Sequence, residues 1–340
     1  MHNLYKNFRS KLTDKQKGLL SQLVFLRPGK PSVKKDSLDS LKKFPNKEKG
    51  GLIISADFEM AWAWRYTKTG SDHLKKGQIE RANFPQIIEV LDQYNIPITF
   101  ATVGHLFLEG CKKGSHDWMT RIPHFDEHWK FTEGDWFDHD PYSNFKDAPE
   151  WYAPDLIQMI LDAKVKHEIG SHTFTHIDFT DKNCPAKVAD DELKACIEVA
   201  KPYGVTLKSL VFPGGTWGNI EMLKKNGIEI YRENTTHDLA YPYRDKMGLL
   251  VTNSSGFLEY NLKYQWSVDY FVNRLKKYID KAIKTNTIAH LWFHPSLEPF
   301  ILKYVFPCFL EYAAQQRDKG ELWIGTMEEI AQHINKNNIV

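Results

Sequence analysis

The chain has little cysteine. Four residues in 340 (Cys111, Cys184, Cys196, Cys308) lie far apart with no Cys-x-x-Cys pair, which excludes a disulfide framework and reads as free thiols in a reducing compartment. It has no run of about 18 apolar residues, which excludes a spanning helix of that kind. It opens without the apolar core of a secretory leader, so a cytoplasmic location is expected. Repeats and low-complexity tracts are absent. So is a strong excess of either charge, since Lys+Arg 45 against Asp+Glu 43 leaves +2. With 42% apolar and 26% charged residues, collagen-like, disordered and coiled-coil classes drop out, and a soluble α/β protein remains.

The charge is unevenly placed. Residues 1–50 carry 13 Lys and Arg against 4 Asp and Glu, leaving 32 against 39 for the rest. Two domains follow from this: a basic N-terminal arm over 1–50 and a catalytic body over 51–340. An acidic body argues against nucleic acid as partner. The arm either is merely solvated or touches an anionic surface, such as the inner membrane face as a peripheral contact. Its apolar cluster at 19–26 docks on the body in the first case and on lipid in the second.

Along the body, short apolar runs alternate with helical patterns. Strands are expected at 52–56, 96–103, 208–212, 228–231, 287–293 and 322–324. Helices are expected at 84–94 (Asn83 as cap, Pro85 in the first turn), 154–164, 185–203, 221–226, 267–285 and 327–334. Such alternation implies a parallel sheet covered by helices, open or closed into a barrel, with its chemistry at the C-terminal strand ends. The stretch 111–153 breaks the pattern. Its four His and four Trp (Trp118, Trp129, Trp136, Trp151) suggest an ordered lid that borders the strand-end pocket.

Four local signals carry chemistry. His172 and His176 are four apart and would share one face of a helical turn, a chelating geometry, although such pairs also arise by chance among 14 His. Asp57 and Glu59 end the first body strand, where i and i+2 share a face; elsewhere an Asp-x-Glu is usually a solvated loop. His294 closes the apolar run 287–293, as a core His also could. Phe212-Pro213-Gly214-Gly215-Thr216-Trp217 follows another strand, and its Gly pair lets backbone N–H groups approach a ligand or simply makes a turn.

Together and in this order, these segments resemble the polysaccharide deacetylase family (carbohydrate esterase family four). The resemblance runs from about residue 52 to 330, with His167–His176 its most specific element, and it is a variant with Asp-x-Glu in the first motif. It implies a distorted (β/α) barrel and metal-dependent removal of N-acetyl groups from sugars. Carried over by position, Asp57 is the base, and Glu59, His172 and His176 hold the metal. His294 is the final His, with Leu291 in its apolar wall. The family's Arg-containing third motif is absent from Val211–Gly215, and Arg232 is placed to supply that charge. Pro213, Gly214 and Trp217 fall on the substrate and oxyanion side.

The residue chemistry agrees. One carboxylate and two imidazoles leave open positions on a Zn²⁺ ion, the expected cofactor. The expected substrate is an N-acylated saccharide, free or linked to lipid or nucleotide. A non-sugar amide, or a silent saccharide-binding protein on the same fold, are the alternatives.

Overall fold

The structure, a computed structural model, describes residues 11–23, 32–65, 72–121, 136–234, 237–259 and 262–340. Nine consecutive buried residues, Gly50–Phe58, form its longest strand. A strand hidden on both faces must be flanked by others and covered by helices. In chain order the elements begin with α1 (Asp14–Leu23), β1 (Ser32–Val33), β2 (Gly50–Phe58), α2 (His73–Tyr94), β3 (Thr99–Thr102), α3 (Pro154–Asp162) and β4 (Glu168–Ser171). They continue with α4 (Ala186–Ala200), β5 (Ser209–Val211), α5 (Ile220–Lys225), β6 (Ile230–Glu233), β7 (Asp238–Leu239), β8 (Tyr243–Arg244), β9 (Leu250–Asn253) and β10 (Gly256–Phe257). The chain closes with α6 (Val268–Thr285), β11 (Ile288–Phe293), α7 (Phe306–Asp318), β12 (Leu322–Ile324) and α8 (Met327–Asn337).

The main sheet runs β10-β11-β2-β3-β4-β5-β6-β9-β8, with β12 added against the first half of β2. Its pairings are parallel except β8 with β9. The run 250–257 pairs with β6 through β9 and with β11 through β10. The ladder thereby returns to its starting side, and the sheet curls into a distorted (β/α) barrel. Across its interior His290 joins two strands, with Nε2 2.8 Å from Ser55 Oγ and Nδ1 2.5 Å from Thr252 Oγ1.

Two expectations shift in register. Helix α2 starts at His73, capped by the Asp72 side chain on Lys75 N–H, so Asn83 and Pro85 lie inside it. Its buried face (Phe84, Ile87, Ile88, Leu91) holds the helix together despite the hydrogen bond lost at Pro85. Asn83 instead donates to the carbonyls of Pro295 and Leu297, tying α2 to the loop beyond β11. In the arm, α1 lies on the body so closely that a Cβ at Gly18 would strike the Tyr264 carbonyl. Further along, β1 pairs with β7, and Phe44 is buried against Tyr241 and Trp323. These contacts favour the packed arm over the lipid-bound one. Val24, Phe25 and Leu26 lie outside the described residues, among which no helix is long and apolar enough to cross a membrane.

Candidate active site

Strand β2 delivers two carboxylates to the C-terminal rim of the barrel. Asp57 is its penultimate residue and Glu59 follows it; both line one cavity of about 370 Å³ with His176, His294, Gly214, Gly215, Trp64, Trp292 and Asn234. Glu59 is the hub. Its Oε2 lies 3.1 Å from His172 Nε2 and 2.9 Å from His176 Nε2, and its Oε1 lies 3.1 Å from His294 Nε2. Burial alone would raise the Glu59 pKa, but the His294, His176 and His172 rings outweigh it and hold the carboxyl well below its ordinary value. Behind it, buried Glu80 accepts the Glu59 backbone N–H at 3.1 Å. Burial, reinforced by the Glu59 charge, pushes Glu80 up to about 8, so it carries its proton at neutral pH.

The His pair does not sit on a helical turn. β4 ends at Ser171, and the loop beyond it takes left-handed backbone at Thr173 (φ 61°) and His176 (φ 56°), as does Met60 (φ 47°) just after Glu59. Non-glycine residues adopt this region only where the surroundings impose it. Buried Glu192 on α4 supplies that constraint, accepting from Phe174 N–H, Thr175 N–H and the Thr175 hydroxyl at 2.8–2.9 Å. The two rings therefore converge through loop geometry instead of helical spacing.

The residues fit a divalent cation. A carbonyl oxygen only accepts, so His172 Nδ1 must carry the proton it donates to Val211 O at 2.8 Å. With that nitrogen as donor, Nε2 is the one left to face the Glu59 carboxylate, the orientation in which an imidazole and a carboxylate share a cation. The ligand atoms of Glu59, His172 and His176 all lie within 4.8 Å of one another.

Asp57 stands apart from this set. Arg232, at the end of β6, forms a bidentate pair with it, Nη1–Oδ1 and Nη2–Oδ2 both at 2.7 Å. Arg232 is fully buried and also donates to Ser55 Oγ (2.8 Å) and Asn234 Oδ1 (3.1 Å). Its guanidinium lies 4.7 Å from the Trp292 ring centre. The position of Arg232 thus supplies a cation to the strand-end carboxylate from the strand after the Pro-Gly loop.

Other sequence candidates fall elsewhere. Leu291 does not wall the cavity: it points into the core, and Trp292, the next residue of β11, takes the rim because alternate strand residues face opposite ways. Trp217 is half exposed and opens onto a neighbouring cavity with Tyr231, Tyr243 and Arg244. Pro213 is buried; Gly214 (φ 58°) and Gly215 (φ 72°) are the loop residues that reach the cavity, in backbone a side chain would resist. The lid also differs from expectation. Trp136 and Trp151 are core residues, with Trp62 Nε1 donating to Trp151 O, and Trp129 is outside the described residues. No described residue of 111–153 lines the cavity. Trp64 and Trp292, which sequence patterning did not single out, join Phe212 as the aromatics at the site.

Sequence reasoning also missed Glu259. Its Oε1 accepts from the backbone N–H of His294 at 2.6 Å and lies 2.9 Å from Nδ1 of the same residue. Burial pulls the His294 pKa down, but the Glu259 and Glu59 charges outweigh it and raise it well above the ordinary value. A single Glu just beyond a two-residue strand leaves no pattern by which it could have been found.

The fold and the site define a (β/α)-barrel protein with a carboxylate–imidazole cluster and an Arg-paired Asp at its strand ends. Residues 72–231, which include His172 and His176, match the family described as Polysaccharide deacetylase. Among solved structures it is similar to a protein described as a polysaccharide deacetylase from Mycobacterium smegmatis, at 14% identity and TM-score 0.62, covering 91% of this chain and 97% of that one. A second, from Pseudomonas aeruginosa PAO1, gives 13% identity and TM-score 0.61 over 90% and 100%. The Puue allantoinase structure gives 13% identity and TM-score 0.59 over the same shares. No curated protein matches the chain.

Proposed function

We propose that the protein is a metal-dependent hydrolase that removes an N-acetyl or similar N-acyl group from a saccharide, free or linked to a lipid or nucleotide carrier. The observation that carries the reading is the Glu59–His172–His176 cluster opposite an Arg-held Asp57 and a Glu-held His294, within one cavity. The match of residues 72–231 to the Polysaccharide deacetylase family supports it. A divalent ion held by Glu59, His172 and His176 would polarise the amide carbonyl and acidify a water.

The chain's own residues divide the remaining work. Asp57, kept in place by Arg232, takes the proton of the attacking water. The Gly214 backbone, at the cavity wall, is the protein donor toward the developing oxyanion. His294, protonated and oriented by Glu259, passes a proton to the leaving amine. Trp64 and Trp292 give the cavity flat apolar walls suited to the C–H faces of a sugar ring.

The test is acetate release from a panel of N-acetylated saccharides, with allantoin added because an allantoinase shares the fold. Glu59→Gln and His172→Ala should each lose bound metal and activity together, read by metal analysis of purified protein. Retention of the wild-type metal content by both variants would sink the assignment. Turnover of allantoin with no acetate release from any saccharide would place the chemistry on a non-sugar amide.

A pH prediction follows from His294. It must be protonated to act as the acid, so activity falls as pH rises through its pKa. Glu259 is the elevating charge that persists when Glu59 is engaged by an ion. Glu259→Gln should therefore move the alkaline limb of kcat to lower pH, by about 1–3 units. An unmoved limb would remove His294 from the acid role.

A further inference from the structure

A second cluster of ligating side chains lies outside the cavity. His105 belongs to the short 3-10 turn Gly104–Phe107 after β3, while Cys111, His116 and Asp140 come from the insertion beyond it. Their ligand atoms all lie within 4.8 Å of one another. Asp140 Oδ2 is 3.3 Å from His105 Nε2, 4.0 Å from His116 Nε2 and 3.2 Å from Cys111 Sγ. A tetrahedral ion with bonds of about 2.0–2.3 Å has its corners roughly 3.3–3.8 Å apart; the 3.2 and 3.3 Å separations sit at the short edge of that range and the 4.0 Å one just beyond it, so small side-chain shifts complete a ligand shell.

The hydrogen bonding points the same way. His105 is fully buried, yet neither ring nitrogen has a hydrogen-bond partner, and buried His116 Nε2 has none either. Buried polar atoms are ordinarily paired, and here two orphaned nitrogens, His105 Nε2 and His116 Nε2, face one carboxylate oxygen. The other oxygen, Asp140 Oδ1, accepts from Tyr142 N–H and Tyr152 O–H, both at 3.0 Å. That is the outer-shell support that fixes a monodentate carboxylate ligand.

We infer that His105, Cys111, His116 and Asp140 form a second metal site, a closed four-coordinate centre for Zn²⁺ distinct from the one at Glu59. The donor set of one sulfur, two nitrogens and one oxygen suits a borderline-soft ion. Loss of the Cys111 thiol proton to solvent on binding leaves thiolate and carboxylate to balance the two positive charges, so a neutral unit is buried. The ion pins the insertion to the barrel. Phe174, between the two His of the catalytic loop, packs 5.4 Å from His105 and 5.3 Å from His116, so the centre also stands directly behind that loop.

The test uses the full chain, stripped and reloaded with Co²⁺. The ligand set at Glu59 contains no sulfur, so a sulfur-to-cobalt charge-transfer band in the near ultraviolet reports on the second site alone. We expect about two ions per chain and this band. Cys111→Ser and His116→Gln should each abolish it; Cys308→Ser and His172→Ala should leave it intact. Absence of the band from the loaded wild-type protein, or its survival in Cys111→Ser, overturns the inference. Should Cys111→Ser fail to accumulate, alkylation of the native wild-type protein decides. Zn²⁺ should protect Cys111 and chelation should expose it, whereas labelling indifferent to chelation overturns the site.

Discussion

Asp57→Asn should retain its divalent ion and lose about 10²–10⁴-fold in turnover, the range that a general base contributes. The substitution keeps volume and one oxygen but removes the charge that Arg232 grips with two bonds of 2.7 Å. Some loss of stability will accompany it, because Arg232 is left buried opposite a neutral amide. Metal content separates the two carboxylates: Asp57→Asn should keep the ion that Glu59→Gln loses. If Asp57→Asn comes out one ion short of the wild type while Glu59→Gln keeps the full content and stays active, the roles of the two residues are reversed. Measuring kcat on protein of known metal occupancy keeps a folding defect from being read as a chemical one.

Much of this arrangement is legible in the amino-acid sequence. The apolar runs at 52–56 and 287–293 became β2 and β11, and carboxylates directly after the first and a His directly after the second fell on one cavity. Period-two alternation at a strand end is a strong local rule, and Asp57 and Glu59 both line the cavity. The His pair was found for a less secure reason. Spacing of four suggested a helix, whereas the rings meet because Glu192, sixteen or more residues on, holds Thr173 and His176 in a loop with left-handed backbone. Such a long-range constraint has no signature in local spacing. Leu291 and Trp217 failed differently: a motif carried over by position fixes a residue in sequence, but strand facing and loop path decide which neighbour reaches the cavity.

Helix α7 was overlooked although Phe306, Phe309, Leu310, Ala313 and Ala314 carry its three-and-four spacing, because Pro307 in its first turn and the π-helical turn before it obscure the start. The His105–Cys111–His116–Asp140 group was hidden for a topological reason. Its members lie 35 residues apart at the extremes and share no motif, and only the folding back of the insertion brings Asp140 onto the turn after β3. Sequence patterning reads periodicity within an element well. It does not read which insertion returns to which strand end.

The Arg232–Asp57 pair sets the second large expectation. Both partners are buried, so Arg232→Met leaves a carboxylate in a desolvated strand end without its cation. Breaking such a pair from one side typically costs about 3–5 kcal/mol, and the urea midpoint should fall accordingly. Methionine also forfeits the bonds to Ser55 and Asn234, but Ser55 Oγ keeps His290, so the pair itself dominates the loss. The double variant Asp57→Leu with Arg232→Met isolates that term. With neither charge present the desolvation penalty vanishes, and its stability should recover most of what Arg232→Met lost, since replacing both members of a buried pair is often close to neutral. Activity should not return if Asp57 is the base, as proposed. A double variant no more stable than Arg232→Met would mean that the cost comes from packing around Trp292 instead of the unpaired charge, and the guanidinium would then be a structural filler. Recovery of stability without recovery of turnover would show that the ion pair is maintained for the reaction at a net cost, or no gain, to the fold.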